Sequence, residues 1–199
     1  MKTENKPLSF SAPLQGISEK TITIHHDKLY AGYVAKKNEI SERLTALSRG
    51  EDLSSANQSY SELRALKDGE TFATNGVYLH EWYFDVLGGN GQTSGILVEA
   101  LAEKYGSVEN FMNYFSACGM AARGWVVLAW DTHDKMLRVY TGDAHNQGGV
   151  WGCLPILVLD VYEHAYFIDY GSDRKSYIAD WWKNLNWEKV TELYTQAIK

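Results

Sequence analysis

"LDVYEHAYFIDY", residues 159–170, is the stretch that decides how this chain is read. It closes the apolar run Leu154-Pro155-Ile156-Leu157-Val158-Leu159, whose length and composition fit a buried strand. That strand delivers Asp160, and then Glu163 and His164, into a cluster of aromatic side chains. An unpaired buried polar group costs roughly 2 kcal/mol or more, and an unpaired charge far more. Either a hydrogen-bond network or a metal ion must therefore satisfy Asp160 and His164.

Before this stretch, "GWVVLAWD" (124–131) and "MLRVYT" (136–141) read as strands joined by "THDK", which predicts a hairpin. "PILVLD" (155–160) supplies a third strand, and residues 162–199 return to a helical pattern. "ILVEALAEKYGSVENFMNYFSACGMAA" (96–122) reads as two helices broken at Gly106-Ser107. The clearest linker is "GGNGQTSG" (88–95), with four glycines and no large apolar side chain. It divides the chain into an N-terminal part, 1–90, and a mixed part, 91–199. Within the first part, residues 1–17 are polar and predict an extended arm. A single long amphipathic helix follows, with Ser18 as N-cap. Its inner face carries Ile22, His25, Leu29, Gly32, Tyr33, Lys36 and Ile40. A polar loop near 49–57 leads to a second helix, on which Val77, His80, Tyr83 and Phe84 share a face. The fold class is α+β.

Composition excludes several functions. The 199 residues are 45% hydrophobic and 22% charged, ordinary for a globular protein. A net charge of −6 argues against a nucleic-acid partner, since phosphate contact needs basic patches. No apolar run is long enough to cross a bilayer as a helix, so no membrane partner is expected. The N-terminus lacks an apolar leader, and Cys118 and Cys153 read as two buried free thiols, so the expected location is cytoplasmic. The 7 Trp and 13 Tyr predict a large aromatic interior. No GxSxG, HExxH or phosphate-loop pattern occurs.

The remaining chemistry lies with the histidines. His133 falls in the hairpin turn, and His26 faces away from His25 toward the surface. His25 and His80 sit on apolar helix faces, Asp160 ends a buried strand, and His164 follows four residues later. Three imidazoles and one carboxylate suit iron, manganese, zinc or copper, and the lack of paired cysteines counts against structural zinc. Each residue taken alone is more commonly a hydrogen-bonded core group, and the residues alone leave both readings open.

Longer stretches resemble one family, the iron/manganese superoxide dismutases. "DVYEHAYFIDYGSDRKSYIADWWKNLNW" (160–187) is similar to that family's C-terminal signature. "HHDKLYAGYV" (25–34) and "NGVYLHEWYF" (75–84) are similar to its two helical motifs, and "GWVVLAWD" to its hairpin strand. The resemblance implies a helical-hairpin half followed by an α/β half with a three-stranded antiparallel sheet. It implies one Fe or Mn ion per subunit on His25, His80, Asp160 and His164, with water or hydroxide in a fifth position. The implied activity is superoxide disproportionation. Tyr33 would guard the substrate channel, Trp125 would wall the site, and Arg174 would stand near the funnel mouth. Glu163 would bridge to the partner's His164 in a homodimer, with a tetramer as an alternative assembly.

The departures from the family pattern are specific. Gly76 stands where some relatives carry a glutamine close to the metal-bound solvent. His145 in "GDAHNQGG" stands where other relatives make that contact, and an exposed loop histidine is the alternative. With Tyr33, His145 is expected to manage protons. Leu29 and Phe167 replace a histidine–tyrosine pair across the family's dimer interface, Tyr30 replaces a histidine and Tyr162 a tryptophan. Lys28 and Arg174 together would give superoxide a positive approach despite the acidic chain.

Overall fold

The computed structural model describes residues 2–199. Ser18 Oγ accepts the Thr21 N–H at 3.2 Å, which satisfies a donor that the helix start leaves free. Helix α1 (Glu19–Ile24) begins there and runs without interruption through a π-helical turn (His25–Tyr30) into α2 (Ala31–Ser48). The π turn corrects the expectation of one regular amphipathic helix. Its wider winding rotates every later position, so burial passes from His25 to Tyr30, Val34, Ile40 and Leu47. Gly32 and Lys36, expected on the inner face, are exposed, and Leu29 and Tyr33 are half-buried.

The connection after α2 runs to Ser61, further than the polar loop predicted from sequence. Ser61 Oγ accepts the Arg64 N–H at 3.2 Å and starts α3 (Glu62–Asp85). The buried residues of α3 are Ala73, Gly76, Val77, His80, Tyr83 and Phe84, which includes the predicted face. The N-terminal arm is extended and pinned to both helices. Thr3 and Asn38 exchange two hydrogen bonds of 2.8 Å, the Lys6 N–H donates to Tyr30 Oη at 2.8 Å, and Ser9 Oγ donates to the Phe84 carbonyl at 3.1 Å. His26, expected toward the surface, is largely covered because its Nε2 meets the Lys6 carbonyl at 2.9 Å.

Residues 88–95 are irregular, and the N–H groups of Gly89 and Gly91 donate to the carbonyls of Asn184 and Leu185 at 3.0 Å each. Gly91 has a φ of +71°, and a Cβ there would lie 2.7 Å from the Trp182 carbonyl oxygen, so only glycine fits. Helices α4 (Ile96–Tyr105) and α5 (Val108–Ala121) are separated at Gly106-Ser107 as the sequence predicts. Strands β1 (Trp125–Asp131) and β2 (Met136–Gly142) form the expected hairpin. Strand β3 (Cys153–Asp160) begins two residues earlier than predicted and pairs antiparallel with β1, giving the order β2-β1-β3.

After β3 the chain is less continuous than the helical pattern promised. A 3₁₀ turn (Glu163–Ala165) and a short α6 (Phe167–Tyr170) precede α7 (Arg174–Lys183) and α8 (Trp187–Ala197). The core runs through both halves and includes Val77, Phe84, Leu97, Phe111, Phe115, Val126, Leu157 and Trp181. Cys118 and Cys153 are free, as expected, but each is only partly buried, which corrects the prediction of two interior thiols. Among the described residues no helix is long and apolar enough to cross a membrane.

Candidate metal centre

The antiparallel register sets Asp160, the last residue of β3, directly opposite Trp125, the first of β1. Asp160 Oδ1 accepts the Tyr162 N–H at 2.8 Å, which fixes the carboxylate and turns Oδ2 inward. Oδ2 then faces three imidazoles: His164 Nε2 at 3.0 Å, His25 Nε2 at 3.2 Å and His80 Nε2 at 3.7 Å. One ligand atom from each of the four residues lies within 4.8 Å of the others. His164 reaches the cluster because the 3₁₀ turn returns the chain four residues after Asp160. His25 projects from the π turn and His80 from the inner end of α3.

The donor set fits a cation. His80 Nδ1–H donates to the Gly76 carbonyl at 2.5 Å, one turn back on α3, so its Nε2 presents a lone pair to the centre. Both His25 nitrogens and His80 Nε2 are buried without a hydrogen-bond partner. Native interiors rarely leave such atoms unsatisfied. A divalent or trivalent ion among them, balanced by one carboxylate, removes the deficit at the converging atoms.

The electrostatics follow from the same geometry. Burial pushes Asp160 upward, but the His164 charge and hydrogen bond, with the His25 imidazole close by, outweigh it and hold the carboxyl well below its usual range. Burial lowers His25 and His80, which keeps both imidazoles neutral as ligands must be. Burial also lowers His164, yet its closeness to Asp160 raises it overall.

A ring of aromatics closes over the cluster. Trp125 Nε1–H donates to His145 Nδ1 at 2.9 Å, so the remaining imidazole proton of neutral His145 is on Nε2. His145 is 2% exposed, and burial pushes its pKa down to about 4. Its ring centroid lies 4.7 Å from that of Tyr33 and 5.8 Å from that of His80. Tyr33 lies 5.3 Å from His80, and Tyr162 stacks on His164 at 5.3 Å. Gly76 is part of this arrangement, because a Cβ there would lie 2.8 Å from two carbons of the Tyr33 ring.

The profile described as "Iron/manganese superoxide dismutases, alpha-hairpin domain" matches residues 8–88, and that of the same family's C-terminal domain matches residues 93–193. The chain belongs to the iron/manganese superoxide dismutase family. An iron superoxide dismutase of Aquifex pyrophilus is 45% identical over 188 residues, covering 94% of this chain and 88% of the relative. Its counterpart in Aquifex aeolicus is 44% identical over the same shares. A manganese superoxide dismutase of Halobacterium salinarum is 36% identical over 194 residues, covering 96% of this chain and 93% of the relative.

Seen as a member of the superoxide dismutase family, the chain brings His25, His80, Asp160, His164, Tyr33, His145 and Trp125 into one cluster. Arg174 is placed differently. Its guanidinium donates to the carbonyls of Gly119 and Ala122 and to Tyr166 Oη, so it ties α7 to the end of α5. Glu163 is exposed and Lys28 is exposed, neither in hydrogen-bond contact with the cluster among the described residues. Two neighbours escaped the sequence reading. Phe72 packs 4.5 Å from His145, and Asn75 Nδ2 donates to the His145 carbonyl at 2.9 Å. Phe72, Gly76 and His80 recur at i, i+4 and i+8, a spacing that would have found Phe72.

Proposed function

We propose that His25, His80, Asp160 and His164 hold one Fe or Mn ion and that Tyr33 and His145 handle protons beside it. The reaction is superoxide disproportionation to oxygen and hydrogen peroxide, an oxidoreductase activity. The observation that carries the ligand assignment is the convergence of three imidazole Nε2 atoms on buried Asp160 Oδ2. When bound, the ion supplies the one-electron acceptor and donor that two successive superoxide anions require.

The chain's own groups do the remaining work. Asp160 provides the single negative charge that favours the higher oxidation state. His145, fixed by Trp125, aims an N–H donor rather than a lone pair at the approaching anion. Burial, with the nearby Asp160 charge adding to it, raises the Tyr33 phenol, which therefore stays protonated near neutral pH. Trp125 and Tyr162 exclude bulk water. Arg174 supports this wall through Tyr166, and Lys28 adds positive charge at the approach.

The assembly belongs to the same reading. His164 is 24% exposed at its side chain and spends Nε2 on Asp160, so Nδ1 is free to meet Glu163 of the partner subunit in a homodimer. Phe167, 55% exposed, and Ile168 beside it give that face the apolar area an interface needs. The halves 1–90 and 91–199 are the units that this reading joins, and unpaired Cys118 and Cys153 support a reducing, cytoplasmic compartment.

His80→Ala tests the centre: bound iron or manganese and superoxide consumption are both expected to fall to background. A variant that keeps stoichiometric metal would overturn the ligand assignment.

A further inference from the structure

On the side of His25 away from Tyr33 and His145, the aromatic packing continues outward. The Tyr83 ring lies 5.1 Å from His25, and its hydroxyl is 3.1 Å from that of Tyr177. Tyr177 spends its only O–H on the Asp160 backbone carbonyl at 2.8 Å, so Tyr83 must be the donor to Tyr177. Both phenols are fully buried. Tyr177 in turn meets the Tyr170 ring edge-on at 5.9 Å. Tyr170, half-buried, donates to Asp180 Oδ2 at 2.7 Å, while Lys183 holds Asp180 Oδ1 at 2.7 Å. Every step from the metal centre to the half-exposed Tyr170 is therefore a ring contact or a hydrogen bond.

We propose that Tyr83, Tyr177 and Tyr170 form an electron-supply chain that protects the metal ligands from oxidants made at the centre, with Tyr170–Asp180 as its terminus. The inference rests on the ligand assignment above. The family's reaction releases hydrogen peroxide. A reduced ion held by these ligands would supply one electron to peroxide, giving hydroxide, a hydroxyl radical and the ion one oxidation step higher. The radical takes one electron from Tyr83 and one proton from solvent and becomes water. Tyr177 refills Tyr83, and Tyr170 refills Tyr177. Tyr170 loses its phenolic proton to Asp180 Oδ2 and is left as a neutral tyrosyl radical. The net change is one phenol and one hydroxyl radical converted to one phenoxyl radical and one water.

The terminus is set by the proton. An oxidised phenol is strongly acidic, so electron loss is favourable where a base receives the proton at once. Tyr166 stacks on Tyr177 at 5.2 Å, but its oxygen faces the Arg174 guanidinium, which accepts no proton. Tyr30 donates to Glu81 at 2.9 Å, yet its ring is sealed among His26 and Phe84, away from solvent reductants. Tyr170 alone of these combines a carboxylate acceptor with access to solvent.

The test is to load the whole protein with iron and separately with manganese, measure bound metal, and treat it with hydrogen peroxide. Freeze-quenched electron paramagnetic resonance reads the radical, and peptide mass mapping reads the damage. In the wild type, a tyrosyl signal and oxidation at Tyr170 are expected. Tyr170→Phe should remove both and raise oxidation of His25, His80 and Trp125 several-fold, with metal content and dismutase rate unchanged. Asp180→Asn keeps the phenol but weakens the base, and should shift the damage the same way. Identical damage maps in the wild type and both variants would overturn the chain, as would oxidation confined to Tyr30 or Tyr33. If the wild type binds no metal, the ligand assignment fails first and this inference with it.

Discussion

The two ends of the helical hairpin are built differently. At the outer end, the second half of α2 and the first half of α3 bury only Ile40, Leu47 and, at the middle of α3, Ala73, and Arg43 bridges Glu51 and Glu62 in solvent. At the inner end, His25, Tyr30, Val34, Val77, His80, Tyr83 and Phe84 are all buried. The same helices thus carry a solvated tip and a buried candidate metal site. The difference lies in what faces them, because strand β3 packs on α3 at the inner end, while the outer end meets the rest of the chain through polar surface contacts such as Asn146 to Asp68 and Lys2 to Glu42. Helical propensity is shared along the hairpin, but precise side-chain placement is confined to the covered end.

Substitutions at successive points should break or sharpen that contrast. Phe84→Ala removes a ring 5.0 Å from His25 and is expected to cost about 3–5 kcal/mol, read as a fall in melting temperature with loosened metal. A Phe84→Ala protein that melts like the wild type would erase the contrast. Gly76→Ala inserts a Cβ against Tyr33 and is expected to cost about 1–3 kcal/mol through overpacking. Metal content should persist while turnover falls, because Tyr33 moves and His80 does not.

The junction between the halves offers a pH test. Asp169 accepts the Ser18 N–H at 2.9 Å and the Thr21 hydroxyl at 2.7 Å, fastening α6 to the start of α1. Burial pushes its carboxyl up, but the Thr21 and Ser18 hydrogen bonds outweigh this and hold it below the usual value. A lowered folded-state pKa contributes stability above the unfolded value and loses it as pH falls through the folded one. The melting-temperature advantage of wild type over Asp169→Asn should therefore be full near neutral pH and vanish in acid. The smallest effect is expected at the tip, where Arg43→Ala should change stability by roughly 0–1 kcal/mol, since exposed ion pairs gain little.

Much of this was legible in the residues. The third strand announced itself through its apolar run, and the break at Gly106-Ser107 through its left-handed glycine and capping serine. The four metal-centre residues stood out because they placed charge or imidazole on surfaces that are otherwise apolar. The π turn was not legible: "HHDKLY" has ordinary helical composition, and nothing local in it separates a wider turn, with His25 and Tyr30 both buried, from a regular one. The hydrogen bonds of Arg174 were not legible for a related reason. The resemblance assigned the residue to a channel mouth, and only the tertiary structure shows the three oxygen acceptors, at the end of α5 and on Tyr166, that hold its guanidinium.

The sequence by itself determined the element order as far as β3, the α+β class, the family and the identity of the four ligand candidates, because period, capping and residue chemistry are local properties. Only the tertiary structure decided that Asp160 Oδ2 meets three Nε2 atoms, that Trp125 orients His145, and that Gly76 makes room for Tyr33. Those facts depend on strand register and helix rotation. Both are fixed by packing between segments far apart in the chain, which no local pattern encodes.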